Sequence, residues 1–320
     1  MSLPLGVDLN QTLAATPLPG ATPDLGGGES LGPTLIIISC IMIPIMIVVV
    51  ICRTVASYRT PGPNGGLGWA EYTSIGAAVI IIAQASVDIS LHNHMRHQWN
   101  TSVGSLDASY FKAESLMAWP AIFLAKVAIL LLYLRIFEVK RSIRVGAIVG
   151  AIWAFLAYIP NIIVSGYFCA PHIDQPWDFR TGLTCDIPGV KEWLVTSAVM
   201  SLALDIFILI LPILIVLRLH LNVKRRLGVF LIFFTAIFAV VCALLTLMYR
   251  VRLLLYKDAV WVGSQLFITN VVENYIAIIV GAIPGVTSYF KTFVTHSIIF
   301  SQLSSRITNS FGSFGRSSRG

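Results

Sequence analysis

The sequence predicts an all-α integral membrane bundle of seven transmembrane helices, with its N-terminus outside or lumenal and its C-terminus cytosolic. Three observations lead there. The chain is 56% hydrophobic and 12% charged, with a mean hydropathy of +0.82, whereas soluble domains carry roughly 25% charged residues. Its apolar residues gather into seven runs of about the 20 residues needed to cross a hydrocarbon core. Its Lys and Arg residues favour alternate connecting segments. This composition argues against a cytosolic enzyme. The formal charge of +7 marks a positively biased membrane face and not a nucleic-acid partner, because the basic residues lie in short segments between apolar runs.

Taken in order, residues 1–30 contain no Lys or Arg and are rich in Pro, Gly and Thr, so they read as a flexible outer tail. They show no basic n-region followed by an apolar core, the mark of a cleaved signal peptide, and the first span is expected to direct insertion itself. The transmembrane domain covers 31–290. Its spans are 31–52 (uncharged), 72–91 (Asp88 only), 116–137 (Lys126 and Arg135), 145–168 (uncharged), 193–217 (Asp205 only), 227–249 (uncharged) and 262–287 (Glu273 only). Pro44, Pro160, Pro212 and Pro284 fall within them, which membrane helices tolerate because neighbouring groups satisfy the freed backbone. Residues 291–320, rich in Ser, Gly and Arg, read as a disordered cytosolic tail. There is no internal repeat.

Orientation follows from the basic residues. Fourteen lie at the ends of spans one, three, five and seven or in the segments after them, and seven in the opposite set, which the positive-inside rule places outside. The sequons at Asn10 and Asn100 fall on the outer side, where glycosylation is available. Cys169 and Cys185 share the outer loop between spans four and five, and an oxidising exterior favours a disulfide there. The loop so closed is worth roughly 3 kcal/mol in the chain-entropy model. Cys40, Cys52 and Cys242 lie within spans and read as packing residues.

An ionisable side chain at the bilayer centre costs on the order of 2.5–3.5 kcal/mol on insertion scales, so each one is a candidate functional group. Spans three, five and seven run in the same direction, and Lys126, Asp205 and Glu273 each lie about eleven or twelve residues in, a depth of roughly 16–18 Å. One cation and two carboxylates at one depth are expected to converge inside the bundle. Their formal sum of −1 lets one carboxylate hold a proton. The cluster can serve as a buried acid beside a ligand cavity, or as an ion-pair network that only fixes helix packing. Asn270 and Asn274, a turn or less from Glu273, can support either.

A second polar group sits at the outer rim. Asp88 and His92 are spaced i, i+4, which would place them on one helix face, and Glu114 enters span three from the same side. His94 and His97 follow. The spacing matches no standard zinc signature, so no metal is assigned. No Gly-rich phosphate loop, Gly-x-Ser-x-Gly motif or Asp-rich diphosphate motif occurs, and no lysine lies within span seven to carry a retinal Schiff base. No cofactor is expected.

Several motifs together resemble the fungal rhodopsin-like seven-span integral membrane proteins, of the satratoxin-cluster membrane protein type, over about Leu31 to Phe290. Gly68-Trp69-Ala70-Glu71-Tyr72 resembles that family's Gly-Trp-Asp-Asp-Tyr start of span two. Lys126-Val-Ala-Ile-Leu-Leu-Leu-Tyr133-Leu-Arg135-Ile-Phe137 is similar to its span-three signature, and this match is specific. Cys169-x-Pro171, Trp177 and Cys185 fit its outer loop. Asp205 with Leu211-Pro212-Ile213, Asp258 with Trp261, and Glu273 with Pro284 fit its later spans. Ala70 departs from the pattern, as does Thr246, which stands where the family often has an arginine unless Arg250 substitutes. The resemblance implies a seven-helix protein often encoded with secondary-metabolite genes, and a shared interior pocket.

The leading functional reading is a membrane-embedded biosynthetic protein acting on a lipophilic polyketide or terpenoid intermediate, by cyclisation or isomerisation at a buried acid. Lys126, Asp205 and Glu273 are its candidate catalytic residues; Asp88, His92, Glu114, Asn270 and Asn274 are candidate cavity or rim residues. Its partners would be the bilayer, a lipophilic small molecule and other biosynthetic enzymes at the membrane. The alternative is a receptor-like sensor of an external ligand, although no Asp-Arg-Tyr ends span three and Ile283-Pro284-Gly285 replaces Asn-Pro-x-x-Tyr. A proton-coupled transporter comes third, since the span count is odd and no repeat is visible.

Overall fold

The computed structural model of the protein describes residues 13, 16–17, 24–25, 27–59, 66–102, 108–136, 141–168, 188–216, 223–255 and 258–296. Seven α-helices account for nearly all of these: α1 Gly32–Arg59, α2 Trp69–Ser90, α3 Ala108–Ile136, α4 Arg141–Phe168, α5 Pro188–Val216, α6 Val223–Leu255 and α7 Ala259–His296. All seven are long and apolar enough to cross a membrane. The described residues contain no β-strand, only two isolated bridges.

Helix α1 shows how the sequence partitions. Ile37, Ile41 and Val48 recur on one face and are exposed; Leu35, Ser39, Met46, Val50 and Arg53 recur on the other and are buried. Both stripes follow the helical period. The outward face is apolar, and the buried polar groups Ser39 and Arg53 lie on the inner face, an arrangement suited to a surrounding medium of hydrocarbon.

Each helix packs on its successor, α7 returns to α1, and α3 meets α7 across the middle of the ring. One apolar cluster joins α3, α4 and α5 around Tyr133, Ala147, Ala154 and Leu204. Another joins α1, α2, α3 and α7 around Leu35, Met46, Ile81 and Tyr275. Lipid tails are as apolar as the helices, so close packing through small residues does much of the holding. On α4, Ala147, Gly150, Ala154 and Ala157 line the inner face. A Cβ on Gly150 would meet Leu130 of α3 at 3.0 Å and Phe207 of α5 at 3.2 Å.

Three expectations need correction. Part of the segment read as a free outer tail is docked: Leu31 N donates to Met95 O at 2.9 Å, Arg96 Nη1 to Gly27 O at 2.8 Å, and Asp24 N to Asn100 Oδ1 at 3.1 Å. These pairings satisfy backbone groups of both segments, and Gly28, at φ +75°, adopts a conformation that favours glycine. The same packing buries Asn100 to 7% exposure, so its amide is not presented for a glycan. Finally, α7 runs on to His296, past the end of its apolar run, so that the tail is helical at its start. Asn10, Cys169 and Cys185 lie outside the described residues; Cys40, Cys52 and Cys242 are free thiols.

Candidate functional site

Helical spacing assembles the site. On α5, Ser201 and Asp205 are four residues apart; on α6, Thr246 and Arg250 are four apart; on α7, Asn270, Glu273 and Asn274 fall at i, i+3 and i+4. Each set therefore shares a face, and all three faces turn toward Lys126 of α3 or the cavity beside it.

The structure brings Lys126, Asp205 and Glu273 together. Lys126 Nζ lies 2.9 Å from Asp205 Oδ2 and 3.6 Å from Glu273 Oε1, and it donates to Ser201 Oγ at 3.0 Å. The hydroxyls of Ser201 and Tyr158 are 2.7 Å apart, and the Lys126 ammonium stands 5.3 Å from the centre of the Tyr158 ring. Thr246 Oγ1 donates to Glu273 Oε2 at 2.9 Å. Lys126, Asp205 and Glu273 are all buried. Burial of this kind is tolerable only because each charge meets an opposite one or a hydrogen-bonding partner.

A cavity of about 190 Å³ borders the cluster, walled by Tyr158, Ser201, Thr246, Arg250, Asn270 and Glu273 among others. Glu273 lines it and Asp205 does not. It occupies the half of the bundle that holds the N-terminal parts of α3, α5 and α7. Arg250 lies one turn beyond Thr246, donates to Leu194 O at 3.2 Å, and places its guanidinium 5.1 Å from the centre of the Trp119 ring. This cation, which the sequence places among the outer-loop residues, brings the formal charge around the cavity to zero. It also answers the Thr246 departure. Thr246 supplies a hydroxyl to Glu273, and Arg250 supplies the positive charge.

Asn270 lines the cavity, and Asn274 lines it while donating to Gln84 Oε1 at 3.3 Å. Asp88 and His92 are not brought together. Helix α2 ends at Ser90, so the i, i+4 relation fails: Asp88 stays on the buried face, while His92 sits in a 3-10 turn with Nδ1 2.6 Å from Ile89 O. The side chain of Glu114 lies outside the described residues.

The rim is organised instead by His97. Its ring stacks between Trp99 and Trp261, with centroids 4.6 and 4.1 Å away, and its Nδ1 lies 2.7 Å from Asp258 Oδ2. Asp258 Oδ1 accepts from Gln98 N at 3.1 Å and from Trp261 N at 3.2 Å, so Asp258 caps α7 and clamps the α2–α3 loop to it. The sequence carried a signal in His97-Gln-Trp99 and Asp258-x-x-Trp261, two aromatic–ionisable pairs that can interleave. Ser201 and Tyr158 carried no comparable signal, because hydroxyls are ordinary in membrane helices.

Residues 52–292 match the fungal rhodopsin domain. A SAT4 family membrane protein of Emericella nidulans (strain FGSC A4) is 28% identical over 215 residues, covering 66% of this chain and 54% of the relative. Fugralins biosynthesis cluster protein 2 of Gibberella zeae (strain PH-1) is 26% identical over 215 residues, covering 61% and 50%. The chain spans about half the length of these curated relatives. No solved structure matches it. With seven membrane-length helices and a domain match over most of its length, the chain is a multi-pass integral membrane protein belonging to the fungal rhodopsin domain family.

Proposed function

We propose that the protein acts in fungal secondary-metabolite biosynthesis, exchanging a proton with a lipophilic polyketide or terpenoid intermediate at Glu273. The observation that carries this reading is a carboxylate on the wall of a cavity inside the membrane, backed by the Lys126–Asp205 pair. Glu273 would take a proton from one carbon of the substrate and return it at another, an isomerisation that leaves the carboxylate as it began. Lys126, shared between Asp205 and Glu273, would fix the electrostatics and position of the base, and Asn270 and Asn274 would offer hydrogen bonds to a substrate oxygen. A cavity of 150 Å³ accepts benzene, and drug-sized ligands need about 300–1,000 Å³. At about 190 Å³ the site suits one ring or the reactive end of a longer molecule whose remainder lies between helices. One relative bears the name of a biosynthesis cluster protein, which supports the same setting.

The reading carries further proposals: the N-terminus outside, Cys169 joined to Cys185, a glycan at Asn10, and contact with other biosynthetic enzymes at the membrane. A receptor-like sensor is the second reading, favoured by the position of the cavity in the half of the bundle nearest the His97 clamp. Deletion of the gene followed by metabolite profiling separates the two. An accumulated precursor is expected for the biosynthetic role. Unchanged metabolites with an altered response to external compounds would replace it with the sensor.

A further inference from the structure

A second charged centre lies at the opposite end of the bundle from the His97 clamp. Glu71 of α2 is 1% exposed. Its Oε1 accepts from Ser57 Oγ and from Arg135 Nη1, both at 2.9 Å, and its Oε2 accepts from Gly68 N at 2.9 Å. Arg53 Nε lies 3.7 Å from Oε1, and the Arg53 guanidinium donates to Gly281 O at 2.8 Å and Ala70 O at 3.1 Å. Two guanidiniums therefore share one carboxylate. A pocket of about 440 Å³ opens beside them, walled by the start of α2, by Leu131, Leu134 and Arg135 of α3, and by Arg144 of α4. Arg144 is exposed, and Trp69 on the pocket wall is 79% exposed.

We propose that this pocket binds the phosphomonoester headgroup of an anionic membrane lipid, with Arg135 and Arg144 contacting the phosphate. The charged side chains on the pocket wall, Arg135 and Arg144 against Glu71, leave a formal excess of one positive charge, to which Arg53, buried against Glu71 and off the wall, adds a second; a phosphomonoester carries about −1.5 to −2 charges. Exposed Arg144 can present a guanidinium fork that matches phosphate geometry, and Arg135, whose Nη1 and Nη2 already donate to Glu71 and Gly66 O, adds positive charge and its remaining N–H groups beside it. A volume near 440 Å³ admits a phosphate together with the polyol that carries it. The apolar wall of Leu131 and Leu134 suits the lipid backbone below the headgroup, and exposed Trp69 and Tyr72 are the aromatics that settle at the membrane–water interface. Basic pockets between helices at the cytosolic leaflet are suited to such headgroups. The site is independent of the proton-exchange role proposed above.

The test uses the full chain in phosphatidylcholine nanodiscs, with and without phosphatidylinositol 4-phosphate, phosphatidylserine or added inorganic phosphate. Binding is read as a rise in unfolding temperature with ligand concentration. The phosphoinositide is expected to raise it by a few degrees. Phosphatidylserine, a phosphodiester, and millimolar inorganic phosphate are expected to do much less. Arg144→Gln, a change at an exposed position that should fold, is expected to weaken the phosphoinositide effect about tenfold; so is Leu134→Trp, which fills the pocket without removing a charge. Arg141→Gln, on the same helix but off the pocket wall, is expected to leave it intact. Equal weakening by Arg141→Gln and Arg144→Gln would reduce the effect to general surface charge and overturn the site. Inorganic phosphate acting as strongly as the lipid would overturn the lipid assignment.

Discussion

Lys126 stands between two buried carboxylates, Asp205 at 2.9 Å and Glu273 at 3.6 Å, and its removal leaves those two acids facing each other in a low-dielectric interior. Breaking a buried pair from one side costs about 3–5 kcal/mol in soluble proteins. Lys126→Ala should therefore sharply reduce the folded protein recovered by size-exclusion chromatography in detergent. Glu273→Gln keeps a carbonyl to accept from Thr246 and should be recovered near the wild-type level. These residues were legible because Asp205 and Glu273 each stand alone in an otherwise uncharged run and Lys126 shares its run only with Arg135 near the end, and counting from the span ends puts the three at one depth. Their hydroxyl partners were not legible. Tyr158, Ser201 and Thr246 become distinctive only once three helices meet, and Arg250 looked like a loop cation until α6 carried it to the cavity wall.

Between elements, contact depends on small residues at the crossings. Gly150→Ile should force α4 away from Leu130 and Phe207 and cost about 1–3 kcal/mol, the usual penalty of overpacking. Gly166→Ile, at a position whose added Cβ meets nothing within 4 Å, should be much milder. Comparing their unfolding temperatures in one detergent checks this, and equal losses would contradict the packing described. At the outer end, Asp258→Ala removes the cap of α7 and the partner of His97. The cap alone is worth about 1 kcal/mol, so the unfolding temperature should fall, with faster hydrogen exchange at residues 97–101 and 258–262. Helix identity was readable from the apolar runs, but helix ends were not. The two polar residues taken to share a face, Asp88 and His92, are parted because α2 stops at Ser90; the apolar run itself ends at residue 91, and the i, i+4 reading carried the helix past that end. Tertiary pairing also decided that Asp24, Gly27 and Leu31 should dock, since their partners are the Arg96 and Asn100 side chains and the Met95 carbonyl of a loop some 70 residues away, which no local pattern reveals.

At the scale of the whole molecule, seven helices close into a ring whose exterior is apolar and whose interior carries two charged layers. One, at mid-depth, borders the cavity. The other, built on Arg53, Glu71 and Arg135, ties α1, α2 and α3 together at the end with more basic loops. The proposed orientation makes that end cytosolic, so a C-terminal tag should be reached by antibody only after permeabilisation, and labelling of intact cells would reverse the topology. The central claim is that Glu273 exchanges a proton with a substrate and is not merely part of the packing. The most direct measurement is metabolite profiling of a deletion strain complemented with Glu273→Gln, with product normalised to folded, membrane-inserted protein. The account predicts normal protein, no product and an accumulated precursor; product in proportion to folded protein would contradict it.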